Sequence, residues 1–181
     1  MKRVTKLMFA VAIVFAVSAA SGQNQAAWKV FTNRSGWSIR HPADWQLSSC
    51  NSCKDLHEPG VFVSFFPPKK PDSDGSVMVE QLGAKPVGTS DDAWLANIAR
   101  TANLNKQVAE SRMKLNGLPA LKVRYRTASG GEMEAVYVLA GVETFEVSFS
   151  PFGDSPQLPL EKVGNFRKYL EMLSSFRVRH R

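Results

Sequence analysis

The residues best equipped for chemistry are Cys50 and Cys53, in Cys50-Asn51-Ser52-Cys53, with His57 four positions on. Two thiols this close can do three things. In an oxidising compartment they pair most simply as one disulfide. The loop closed is very short, so chain-entropy scaling gives it about 2 kcal/mol or less. Its effect would be to stiffen an exposed loop. Thiol–disulfide exchange is the second chemistry. It calls for the first cysteine at a helix N-terminus, where the dipole lowers the thiol pKa. Here Pro59-Gly60 ends any helix within two turns, and no strand–helix–strand pattern surrounds the motif. Metal binding is the third. Cys50, Cys53 and His57 form Cys-x2-Cys-x3-His, a soft donor set with His41 or Glu58 nearby as a fourth ligand. Covalent haem attachment is excluded, because Lys54 stands where that motif needs histidine. The disulfide is the simplest of the three and is the expectation for Cys50 and Cys53.

Other chemical signatures are absent from the sequence. There is no Gly-x-Ser-x-Gly elbow, no His-Glu-x-x-His, no phosphate loop and no Gly-x-Gly-x-x-Gly. His41 beside Pro42 reads as a turn residue, and His180 lies in a basic tail with Arg177, Arg179 and Arg181. Glu132 and Glu134 can pair across strands with Lys122, Arg124 and Arg126. That pairing keeps the faces matched if the intervening loop is odd, either Ser129–Gly131 or Thr127–Gly131. No catalytic residue and no cofactor are therefore expected.

The compartment is written at the N-terminus. Lys2, Arg3 and Lys6 precede the unbroken apolar run from Leu7 to Val17, followed by Ser18-Ala19-Ala20-Ser21-Gly22. This is a signal peptide over residues 1–22, with a run too short to span a bilayer comfortably. No cysteine lies at the cleavage region, so a lipid-anchored product is not expected. The chain carries 23 basic and 16 acidic residues. Removing the leader leaves 20 basic residues against the same 16, a net charge of +4. Outside the cytoplasm nucleic acid is a poor partner for such a chain. An acidic protein or an anionic surface is the partner class that the charge leaves open.

The elements that would position these residues are mostly strands. Trp28–Thr32, Trp37–Arg40 and Trp45–Ser49 are short and aromatic-rich, and Trp28, Phe31, Trp37 and Trp45 are expected in the core. Val61–Phe66 and Ser76–Leu82 flank a polar loop containing Lys69, Lys70 and Asp72. Ser90 caps a helix running to about Asn103, with Trp94, Leu95, Ile98 and Ala102 on one face. From Arg112 to Ser150 the chain reads as consecutive antiparallel strands. Asn116-Gly117 is a type I′ hairpin turn. Leu121, Val123 and Tyr125 alternate with Lys122, Arg124 and Arg126 as a strand with one wet face. Met133–Ala140 is apolar on both faces, and Phe145, Val147 and Phe149 form one face of the next strand. Pro159 opens a last helix, with Leu160, Val163, Phe166, Leu170 and Leu173 as its stripe. Strands that pair in sequence, with helices over the sheet, make an α+β fold.

Three stretches resemble a known family. Gly36-Trp37-Ser38-Ile39-Arg40-His41-Pro42-Ala43-Asp44-Trp45 looks like the opening of PsbP-like proteins. Asn116-Gly117-Leu118-Pro119-Ala120 resembles their middle hairpin, and Leu170-Glu171-Met172-Leu173-Ser174-Ser175-Phe176 their closing helix and exit. The resemblance implies an antiparallel sheet covered by helices, the Mog1/PsbP-type α-β-α sandwich, as one domain over residues 23–181. It further implies an exported bacterial binding or assembly factor rather than an enzyme. The partner would be a protein, including a membrane-associated one, and the chain itself a monomer. No ligand residue of the family lines up here, and the Cys50–Cys53 pair is not part of the family pattern.

Overall fold

Alternating apolar residues dictate most of the architecture, seen in a computed structural model that describes residues 27–49, 55–57, 60–68, 75–102, 106–128, 130–152 and 158–179. Residues 1–26, with the expected signal peptide, Cys50, Cys53, Glu58, residues 69–74 and His180 lie outside the described residues. Ten strands form two antiparallel sheets among these residues. The smaller has the order β1-β2-β10, built from Trp28–Thr32, Trp37–Pro42 and Arg177–Val178. The larger has the order β3-β4-β5-β9-β8-β7-β6. Its strands are Gln46–Ser48, Val63–Phe66, Gly75–Ala84, Lys106–Leu115, Leu118–Arg126, Glu132–Ala140 and Glu143–Pro151, numbered β3 to β9 along the chain.

The hairpin chemistry behaves as expected. Asn116 and Gly117 take φ of 52° and 87°, as a type I′ turn requires, and join β6 to β7. The β7–β8 loop is the five-residue alternative, because Arg126 pairs with Glu132 and Arg124 with Glu134. β6 begins at Lys106, six residues before the expected start of the hairpin array.

Each face of the large sheet buries a core. Helix α1, Asp91–Thr101, sets Leu95, Ile98 and Ala99 against Leu121, Val123, Tyr125, Ala135, Tyr137 and Leu139. Its N-terminus is capped as the sequence predicts, with the Ala93 amide donating to Ser90 Oγ at 3.3 Å. The alternate residues Val136, Val138, Phe145, Val147 and Phe149 face the other core. There helix α2, Phe166–Ser175, and the small sheet share the cover through Tyr169, Met172, Phe176, Trp37 and Ile39. The antiparallel sheet is thus observed, whereas its second face is covered by a helix and a sheet together rather than by helices alone.

The last helix differs from its expected phase. Leu160–Lys162 is a single 3-10 turn, Val163 is extended (ψ 129°), and α2 starts only at Phe166. The break at Val163–Asn165, which contains Gly164, resets the stripe to Phe166, Tyr169, Met172 and Leu173. Leu170 is left 43% exposed. No described helix is long and apolar enough to cross a membrane.

Candidate binding groove

The segment approaching the cysteine loop is pinned to the turn between β1 and β2. His57 Nδ1 lies 2.7 Å from the Thr32 carbonyl oxygen, and its ring stacks on Phe31 with centroids 4.7 Å apart. A carbonyl only accepts, so Nδ1 is the donor in this bond. The Arg34 amide donates to the His57 carbonyl at 2.8 Å, and Arg34 pairs with Asp55 at 2.8 Å. His57 is therefore held at the rim of the small sheet. Cys50 and Cys53, the other members of the expected disulfide or metal set, lie outside the described residues. Among the described residues no three His, Cys, Asp or Glu side chains are grouped to hold a metal ion.

His41 is not a turn residue. It is the fifth residue of β2, buried against Phe65 with ring centroids 5.2 Å apart, and its Nδ1 donates to the Pro42 carbonyl at 2.8 Å. The strand runs on through Pro42 because proline is tolerated at a strand end. Burial lowers the His41 pKa against the hydrogen bond to Pro42, and nearby Lys29 lowers it further.

Two buried carboxyl groups sit on the central strands. Glu134 is 1% exposed and accepts from Arg124 Nε at 3.2 Å. Arg124 also bonds Glu161 across the 3-10 turn, and Arg126 approaches Glu132 at 3.8 Å. Cross-strand pairing was legible in the sequence; the burial of Glu134 was not. The face read as wet is the one that α2 covers, and Tyr169 lies against Glu134 there. Burial, and then the Glu134 charge, push the Tyr169 hydroxyl well above its ordinary pKa.

Glu146, 4% exposed, lies on the opposite face, directly across from Glu80 on β5 and Tyr137 on β8. Burial raises its pKa; Ser148 and Tyr137 hydrogen bonds oppose that, and the Glu80 charge adds to it. Burial raises Glu80 as well. Tyr137 continues to Tyr125 at 2.9 Å, and Tyr125 donates to the Ala99 carbonyl at 2.7 Å, which ties the helix to the sheet. Both carboxyl groups are closed off from solution, so their effect falls on stability. A native carboxyl with a raised pKa holds its proton longer than the unfolded chain does. Stability from Glu146 is therefore full below about 4.5 and is lost as pH rises through the raised native value. Glu146→Gln is expected to add about 1–2 kcal/mol at pH 8 and little at pH 4, because it removes the cost of a buried charge. Urea midpoints at the two pH values measure this. His41 contributes the opposite slope: stability is lost as pH falls below 6.5 toward its lowered native value.

A concave surface lies between the outer face of the small sheet and α2. A cavity of about 560 Å³ runs along β1, β2 and β10 to the end of α2. It shares Trp28, Arg40 and Glu171 with a second cavity of about 510 Å³ that reaches Gly164. Period-2 alternation builds the surface: Phe31, Trp37 and Ile39 point into the core, so Val30, Ser38 and Arg40 point out. The Arg40 amide donates to Ser175 Oγ at 2.8 Å, and Asn116 Nδ2 donates to the Phe176 carbonyl at 2.8 Å. These bonds fix the helix end against β2 and the β6–β7 hairpin. The Arg40 guanidinium lies 5.6 Å from the Trp28 ring centroid, and Lys168 Nζ lies 5.9 Å from that of Trp45. Arg177 donates to the Ser174 and Phe176 carbonyls, both at 2.8 Å. Sequence reasoning placed Trp28 in the core and Arg177 in a solvated tail. Trp28 is partly buried against that core and also lines the groove, and Arg177 lines the groove too.

No protein-family model matches the sequence. No curated protein matches it either. The structure is similar to the solution structure of cyanobacterial PsbP (CyanoP) from Synechocystis sp. PCC 6803, with a TM-score of 0.53 and 15% identity over 90% of this chain and 99% of that chain. This likeness, over nearly the whole of both chains, shows that the chain has a PsbP-like fold.

Proposed function

We propose that the chain is an exported, non-catalytic α-β-α sandwich of PsbP type that acts by binding a protein partner. The observation that carries this reading is the open groove between the small sheet and α2, with its cations and its half-buried Trp28. The apolar leader of Leu7–Val17 behind Lys2, Arg3 and Lys6 supports export. In this reading Cys50 and Cys53 form a structural disulfide beside the segment that His57 anchors.

The test separates binding from thiol or metal chemistry. In the processed protein the Cys50–Cys53 pair is expected oxidised, with a potential below about −300 mV. The Cys50→Ser/Cys53→Ser variant is expected to fold and to restore the wild-type phenotype in a deletion strain. A potential between about −120 and −200 mV, or a bound metal, together with a folded double variant that loses the phenotype, would overturn the proposal.

A further inference from the structure

We infer that the groove between β1–β2–β10 and α2 takes an extended acidic segment of a partner protein, a deepening that rests on the binding-module reading. Charge is the first argument. Arg40, Arg167, Lys168 and Arg177 line the two joined cavities, and Glu171 is the one carboxylate among the described lining residues. Glu171 is engaged by Arg167 at 3.6 Å, one helical turn away. Among the described residues Arg40, Lys168 and Arg177 pair with aromatic rings or backbone carbonyls and with no carboxylate. Three cations thus converge on one concavity with their charge uncompensated, and a ligand carrying several carboxylates supplies what is missing.

Shape is the second argument. The cations are distributed along the groove, from Arg177 at the end of α2 to Arg167 and Lys168 in its first turn. A helix rises about 1.5 Å per residue, so this line runs roughly 15 Å, the length of four to five residues of extended chain. Trp28 and Val30, the latter 66% exposed, add an apolar strip beside the charges. An extended segment with alternating acidic and apolar side chains meets both. The Arg40–Trp28 stack also orients the guanidinium before any ligand arrives, which lowers the ordering cost of binding.

The test uses a fluorescein-labelled decapeptide with glutamate at every second position and leucine or serine between, and a counterpart with glutamine for glutamate. Anisotropy is read with the processed full chain. The acidic peptide is expected to bind at least tenfold more tightly than the glutamine one, and to weaken as salt rises from about 50 to 200 mM because exposed charges are screened. Arg40→Glu/Lys168→Glu is expected to weaken binding at least tenfold with an unchanged melting temperature. Lys106→Glu/Arg112→Glu changes net charge equally on exposed positions of β6 and is expected to change binding less than threefold. If the groove variant melts early, Arg40→Gln/Lys168→Gln replaces it with the same expectation. Equal losses in the two charge-reversed proteins, or no preference for the acidic peptide, would overturn the inference. Phosphatidylglycerol vesicles that bind through Arg40 and Lys168 where the peptide does not would overturn it in favour of a membrane surface. These failures leave the binding-module reading standing, which falls only with the cysteine double variant.

Discussion

Arg124→Met is expected to destabilise the protein by about 3 kcal/mol, with the loss almost absent in a Glu134→Gln background. Removing one member of a buried pair strands the other, and a stranded buried charge typically costs about 3–5 kcal/mol. Glu134 is 1% exposed and would be the stranded group, whereas the Arg124 side chain is 28% exposed, which places the expectation at the lower end. Glu161 loses its partner too, but it is surface-exposed and is solvated without cost of comparable size. Glu134→Gln keeps an acceptor toward Arg124 and Tyr169 while removing the charge. A double-mutant cycle by urea denaturation therefore measures the pair itself. A cost for Arg124→Met that is unchanged in the Glu134→Gln protein would show that the burial of Glu134 is energetically idle. Arg124→Lys is expected to fall between, since an ammonium cannot bridge Glu134 and Glu161 as the guanidinium does.

Trp37→Ala is expected to cost about 3–5 kcal/mol, and Trp28→Ala less than about 1 kcal/mol. The two tryptophans lie nine residues apart in adjacent strands of one small sheet. Trp37 is buried, with ring centroids 5.3 Å from Phe31 and 6.2 Å from Phe176, and it joins the small sheet to the exit of α2. Truncating it opens a cavity where both meet, and the loss adds a cavity term to the transfer term. Trp28 sits outside, under Arg40, and its loss should fall on peptide binding instead. Melting temperatures and anisotropy on both variants separate the two roles. Equal destabilisation by the two substitutions would remove Trp28 from the groove and return it to the core.

These contrasts mark where local sequence stops being informative. Asn116-Gly117, the Ser90 cap and the alternation of β7 and β9 are local properties, set by which φ a residue tolerates and by period 2. They were readable directly. The phase of the last helix was not, since one break at Val163–Asn165 moved the buried stripe from Leu170 to Tyr169 and Met172. Periodicity carries phase only while the helix is continuous.

The sequence by itself determined the antiparallel hairpins, the first helix and its cap, and the facing of Glu132 and Glu134 toward Lys122, Arg124 and Arg126; the structure chose the register that pairs Arg124 with Glu134. The former follow from neighbours within about twenty residues. Only the tertiary structure decided which side of each strand is sealed. It buried Glu134 by laying α2 over a face that reads as polar, and it buried Glu146 and Thr144 on a strand apolar at alternate positions only. It also assembled the groove from Trp28, Arg40, Lys168 and Arg177, residues up to 149 positions apart. Hydrophobic burial is non-directional, so a pattern of apolar residues says that a face will be covered without saying by what. Long-range packing supplies that answer, and with it the convergence of charge on which binding rests.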